Sequence, residues 1–236
     1  MNSTATLPSP STKDRILDAA ERLLAAHGFE ATSLRAITTE ADVNLAAVNY
    51  HFQSKDALIR AVIARRIGPV NQTRLAMLDV IEKAAGDGPL PIGAVIEAFI
   101  KPVIELRIGA KAFAPIMGRV FSENAAFVER FFRDHLYVVA QRFTAAFERA
   151  VPGMPREEVL WRVFFVIGAV AQTLVLGDLL KIFSGGLCRT EDVEGIVKRM
   201  VTFFTAAFLE PHSEVEDARN NSAGNRVVSA RGSATA

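Results

Sequence analysis

Cysteine occurs once in this 236-residue chain, as Cys188. A single thiol excludes an intramolecular disulfide framework and a multi-cysteine metal site, and it fits a reducing compartment. Net charge is nearly absent too: 27 Lys and Arg against 26 Asp and Glu leave +1. Any contact with nucleic acid therefore has to be local. The opening stretch MNSTATLPSPSTK lacks the apolar h-region of a secretory signal. The longest apolar run, VFFVIGAVA at 163–171, is interrupted by Gln172 and Thr173. A spanning helix needs about 20 predominantly apolar residues, so this run reads as a buried helix. Together these absences predict a soluble, cytoplasmic protein with no membrane partner.

What the chain has in quantity is apolar surface, since half of its residues are hydrophobic. That surface must be hidden in a core, a ligand cavity or a subunit interface. Residues 1–10, rich in Ser, Thr and Pro, read as disordered. A first helix follows, opened by Ser11 and Asp14 in a variant capping box. It carries Ile16, Leu17, Ala20, Leu23 and Leu24 on one face and stops at Gly28. A second helix starts at Thr32–Ser33 and runs to Ala41. A third, capped by Asn44, covers 45–51, and a fourth, capped by Ser54, runs to Ile67 before Gly68-Pro69. Further helices are expected over 70–85, 91–108, 111–122, 125–150, 156–183 and 190–209, with no period-two segment anywhere. Residues 211–236 read as a disordered tail.

The pair 33–41 and 45–51, joined by the turn Asp42-Val43-Asn44, has the dimensions of a helix-turn-helix. In that motif the second helix enters the DNA major groove. Ala46 and Ala47 let its backbone approach the groove, Val48 points inward, and Phe52 is an apolar anchor. Asn49 can offer an amide to a base edge or a phosphate. Tyr50 and His51 reach backbone phosphates, which fix register and not sequence. Lys55 adds a cation beside the free N–H groups of a helix start, and Ser33 with Arg35 makes a second such place. Asn44 and Leu45 complete the candidate DNA-contact set. Arg65-Arg66 reads as a solvated face or a phosphate-side stripe.

Residues 12–62, TKDRILDAAERLLAAHGFEATSLRAITTEADVNLAAVNYHFQSKDALIRAV, resemble the DNA-binding domain of TetR-family transcriptional regulators. The resemblance rests on a first helix ending in Gly-Phe, on Ala41-Asp42-Val43-Asn44, on Tyr50-His51-Phe52, and on Lys55-Asp56-Ala57-Leu58. Asp42 stands where that pattern has Gly, and Asn44 where it has Ser. VNLAAVNYHFQSK is also similar to the fatty-acid-responsive, PsrA-type branch of the family. The resemblance implies an all-α protein, with a helix-turn-helix domain at 11–67 and a helical ligand-binding and dimerisation domain at 68–210.

The helices at 156–183 and 190–209 are too apolar around their circumference to pack on one side only. A four-helix contact between two copies would cover them, placing two recognition helices about 34–36 Å apart over a palindromic double-stranded operator. For a ligand, Phe99, Phe113, Met117, Phe121, Trp161, Phe164, Phe165 and Leu174 are candidate apolar lining, with Arg119 and Gln172 as polar anchors. The resemblance points to a small apolar inducer, a fatty acid or acyl-CoA, that releases a repressor from DNA.

No nucleophile–base arrangement, Gly-rich phosphate loop or metal-ligand spacing accompanies these features, so no catalytic residue, metal or cofactor is assigned. His135 and Asp134 are sequence neighbours and face different ways on a helix. The competing readings are a helical lipid-binding protein without DNA regulation and, less favoured, an enzyme.

Overall fold

A computed structural model describes residues 10–109, 113–120 and 125–210. Expectations for residues 1–9, for Phe121 and for residues 211–236 lie outside the described residues. Among the described residues every regular element is a helix. They are α1 (Thr12–Ala31), α2 (Leu34–Ala41), α3 (Leu45–Phe52), α4 (Lys55–Ala85) and α5 (Ile92–Gly109). After these come α6 (Phe113–Val120), α7 (Ala125–His135), α8 (Tyr137–Ala150), α9 (Arg156–Phe183) and α10 (Val193–Leu209).

The first four helices start where side-chain oxygens wait for free backbone donors. Ser11 Oγ accepts from Asp14 N at 3.2 Å and donates to the Asp14 carboxylate at 2.6 Å. Ser33, Asn44 and Ser54 each accept from the backbone N–H three residues on, at 3.0, 2.8 and 3.1 Å. Such caps satisfy donors that have no partner within the helix. Gly28 breaks the α1 geometry with φ 87° and ψ 179°, a region open essentially to glycine. The Thr32 hydroxyl then donates to the Gly28 carbonyl at 2.7 Å and closes the α1–α2 link.

Two cores result. Ile16, Leu17, Leu24, Ile37, Val48, Phe52, Leu58 and Ile63 form the first, and Phe113, Ile116, Val120, Phe127 and Phe131 from α6 and α7 join it. The second gathers Leu78, Ile96, Phe99, Ile104, Phe143, Phe147, Val166, Phe204 and Phe208. Helix α4 contributes to both.

That continuity overturns the expected helix end at Ile67. Pro69 sits inside α4, although it lacks the N–H that would bond one turn back. Packing on both sides carries the helix through, because Ile67 and Val70 are buried on either flank. Electrostatics help as well. Glu21 of α1, 4% exposed, accepts from Arg65 Nη2 at 2.5 Å and from Arg66 Nε at 2.9 Å. Arg65 Nη1 also donates to Asp18 at 2.7 Å. The Arg65-Arg66 pair is thus an interhelix clamp and not a solvated stripe.

The single helix expected over 125–150 is divided at Leu136. Asn71 of α4 donates its side-chain amide to the His135 carbonyl at 2.8 Å, taking an acceptor away from the helical ladder. The run 163–171, expected to be buried, is buried only along one stripe of α9, at Val159, Val166, Val170 and Gly177. By length and composition alone α9 is a helix that could cross a membrane.

Gly28 also sits against α6, where a Cβ added to it would overlap Nη1 of Arg119. Gly28→Ala is therefore expected to destabilise the chain by about 1–3 kcal/mol from backbone strain, plus the cost of displacing Arg119. The added Arg119→Ala change should recover only the second part. Denaturant midpoints of the single and double variants check this, and full recovery would show that the backbone is not strained.

Candidate nucleic-acid interface

The turn between α2 and α3 decides how the two helices cross. Asp42 adopts the left-handed conformation, φ 50° and ψ 55°, which Asp and Asn accept more readily than other non-glycine residues. Helix α2 has no basic residue in its own last turn. Arg15 of α1 fills that role, its Nη2 donating to the carbonyls of Ala41 at 2.7 Å and Asp42 at 2.6 Å. The same nitrogen reaches the Asp42 carboxylate at 3.2 Å. This positioning residue was missed in the sequence; the signal was a second helix ending without a cation of its own.

Helix α3 is two-faced. Val48 and Phe52 are buried in the first core, whereas Leu45, Ala46, Asn49 and Tyr50 are exposed. Residues i, i+1, i+4 and i+5 share a side of a helix, so these four make one outward surface. Tyr50 is 83% exposed, a large aromatic that no intramolecular packing accounts for. The half-buried His51 ring lies between its neighbours, its centroid 5.1 Å from Tyr50 and 6.0 Å from Phe52.

Asn44, an exposed residue, spends its side-chain carbonyl on the cap. Ser33 and Arg35 are exposed at the start of α2. Lys55 has a structural bond, Nζ donating to the Glu30 carbonyl at 3.3 Å. An ammonium carries three donors, so this tether holds a cation in place without exhausting it. Near the far end of α2, Glu40 is taken up by Arg22 at 2.9 Å.

The ligand candidates, in contrast, do not converge. Phe99 is buried in the second core, its ring 5.0 Å from Phe143 and 5.9 Å from Phe147. Phe113 and Met117 pack into the first core. Arg119 lies against Gly28 of α1. Trp161, Phe164 and Phe165 are exposed on α9 and contact one another with ring centroids 5.9–6.4 Å apart, Trp161 stacked on Phe165 and edge-on to Phe164. Gln172 is exposed on the same helix, and only Leu174 is partly buried against the second core. Apolarity all round α9 conceals in the sequence which stripe of that helix faces inward.

A capped helix-turn-helix with an exposed polar face, set on a larger helical body, defines the class of a DNA-binding regulator. Residues 16–62 match the family described as bacterial regulatory proteins, tetR family, and residues 97–207 match the tetracyclin repressor-like C-terminal domain. The chain belongs to the TetR family of transcriptional regulators. It is 41% identical over 54 residues to the "Probable HTH-type transcriptional regulator YttP" of Bacillus subtilis (strain 168). That stretch is 23% of this chain and 26% of that relative.

Among solved structures, the fatty acid degradation regulator FadR of Bacillus halodurans superposes with a TM-score of 0.58 at 11% identity. The superposition covers 81% of this chain and 96% of that one. FadR of Bacillus subtilis, solved in complex with stearoyl-CoA, gives 0.55 at 13% identity over 80% and 97% of the two chains. At these identities the likeness is one of fold.

Asn44→Ala should cost about 1 kcal/mol of stability through the lost cap, and Asn44→Ser should largely keep it. Thermal unfolding of the two variants beside the parent chain measures both. Equal melting points for Ala and Ser would mean that the cap is not what starts α3.

Proposed function

We propose that the chain is a dimeric repressor that holds a palindromic operator and is released from it by a small apolar inducer, a fatty acid or its coenzyme A thioester. The observation that carries the reading is the outward face of α3, where Leu45, Ala46, Asn49 and Tyr50 are exposed opposite the buried Val48 and Phe52. In this reading Asn49 meets base edges. Tyr50, His51, Lys55, Ser33, Arg35 and the Asn44 amide meet phosphates, and Leu45 and Ala46 let the helix seat in the groove. Residues 11–67 act as the reading head and 68–210 as the body. A protein that reads the genome in this way works in the cytoplasm of a bacterial cell.

Dimerisation is supported by the uncovered side of α9 and α10. Phe164 is 61% and Phe183 90% exposed, and Trp161, Phe165, Leu176, Leu179 and Phe203 stand out with them. A soluble monomer rarely shows so continuous an apolar patch. A second copy packed on the same surface would bury it and set two heads one DNA turn apart.

Two connections support a path from body to head. Helix α4 is continuous from Lys55 to Ala85 with Pro69 as its weak point, and α6 touches both ends of the system. Gly118 of α6 lies so close to Val175 of α9 that an added Cβ would sit 3.2 Å from Cγ1, while Arg119 meets Gly28 of α1. A ligand that favours one spacing of α9 and α6 over another would tilt the heads through α1 and α4. It works only to the extent that its affinity differs between the two arrangements.

Tyr50→Ala and Lys55→Ala should weaken binding to operator and scrambled duplex alike, with Lys55→Ala lowering the salt slope by about one. Asn49→Ala should instead lose about 1–3 kcal/mol of discrimination between operators. Titrations of fluorescent duplexes at several salt concentrations separate the two patterns; equal losses of Asn49→Ala on both duplexes would end its base-reading role.

In sedimentation the chain should run as a dimer at micromolar concentration. Phe164→Asp together with Phe183→Asp should shift it to monomer and cost at least tenfold in operator affinity. A parent chain that sediments as a monomer would remove the palindrome from the reading.

A further inference from the structure

Among the described residues two non-glycine residues adopt a positive φ, Asp42 and Gln53, and they stand at the two ends of α3. Backbone strain of this kind persists only where its surroundings impose it, and it gathers at functional sites. Asp42 has its compensation inside the chain. Asp tolerates the left-handed region, and Arg15 donates to both its carbonyl and its carboxylate. Gln53 has no such support. Its φ of 64° and ψ of −32° lie outside the left-handed basin, and no hydrogen bond from its side chain holds them among the described residues.

The conformation itself has a local cause. Phe52 is buried in the core of the head, and Ser54 caps α4 by accepting from Ala57 N at 3.1 Å. One residue is left to turn the chain between these two anchors. The turn closes through Ser54 N, which donates to the Phe52 carbonyl at 2.7 Å, the i to i+2 bond of a γ-turn that is strained for a residue with a Cβ. Glycine would take this turn without penalty. A glutamine there is exposed, and what its amide can bond lies outside the chain. Its place in the head says what that is. Gln53 N still donates to the Asn49 carbonyl at 3.1 Å, so Gln53 follows Leu45 and Asn49 in the register of the outward face. It lies about 12 Å along the helix from Leu45, which is about the width of a major groove.

We propose that Gln53 is a DNA-contact residue of the head, its side-chain amide donating to a phosphate oxygen at the groove edge while the start of α3 reaches the bases. The assignment rests on the reading face proposed above and extends it by one residue. Helices of this kind read bases with their N-terminal residues, which leaves the far end beside the sugar–phosphate backbone. A primary amide has two N–H donors and no charge. It fixes distance and register without adding to the salt dependence that each Lys or Arg contact brings. Lys55, two residues on and tethered to the Glu30 carbonyl, supplies the neighbouring cation. The strain at Gln53 thus places a neutral donor where glycine would fold better.

The test sets stability against binding, with a duplex selected by the full chain from a random library and its scrambled counterpart as probes. Gln53→Gly should raise the melting temperature, because the turn is relieved. It should also weaken binding to both duplexes by about tenfold, the loss of one hydrogen bond to a charged group. Gln53→Ala keeps the strain and removes the amide, so it should melt with the parent and bind as weakly as the glycine variant. In both, the salt slope should stay that of the parent. Gln53→Lys should restore affinity and steepen the slope by about one. Parent-level affinity in the Gly and Ala variants overturns the assignment. So does a loss in Gly alone, which traces to a loosened backbone, or a loss on the selected duplex alone, which makes Gln53 a base reader. An unchanged or lower melting temperature for Gln53→Gly removes the strain and the assignment with it. If Tyr50→Ala and Lys55→Ala also leave binding unchanged, the reading face fails as a whole; if they weaken it and the Gln53 variants do not, only this assignment falls.

Discussion

Glu21 is a buried carboxylate gripped from two sides by Arg65 and Arg66, with Asp18 completing the cluster. Removing one partner from such a group leaves a charge in a poorly solvated place, which is why clamps of this kind hold helices in one register. Here they hold α1 along α4. The helix-turn-helix leans on both, through Arg15 at the end of α2 and through Val48 and Phe52 beneath α3. The outward direction of Asn49 and Tyr50 is therefore a consequence of how α1 lies on α4. Since α4 runs on into the second core, head and body share a rigid member whose weakest point is Pro69.

Helix α6 gives that shared member a partner. Its buried Phe113, Ile116 and Val120 belong to the core of the head, while Gly118 lets Val175 of α9 come close. A change on the α9 side can thus reach α1 without passing through α4.

Much of the head was legible in the residues. Ser11, Ser33, Asn44 and Ser54 announced four helix starts because a cap is a local matter, settled within three residues. The αL turn at Asp42 was equally local, and so was the signal at Gly28, which breaks α1 three residues before its end at Ala31. Long-range facts were not. Arg15 capping a helix 26 residues away, Asn71 breaking the α7–α8 run 64 residues away, and Arg65 and Arg66 reaching back to Glu21 leave no trace in periodicity. The spread of the ligand candidates over the fold was hidden for a related reason. A helix apolar on every side, like α9, has no face that composition can mark as inward, so Trp161, Phe164 and Phe165 were grouped with Phe99 although they stand on the outside.

The amino-acid sequence by itself determined an all-helical chain, the positions of the caps and the turn of the helix-turn-helix, and the side of α3 that carries Asn49 and Tyr50. Each of these follows from interactions within a few residues or from one helical period. Tertiary structure alone decided that Gly68-Pro69 does not end a helix, that α6 and α7 close the core of the head, and that Arg74 is buried against the Phe99 carbonyl and ring. Those outcomes depend on which distant surfaces meet, and a buried charge or an interrupted helix is tolerated only where packing from another part of the chain compensates for it.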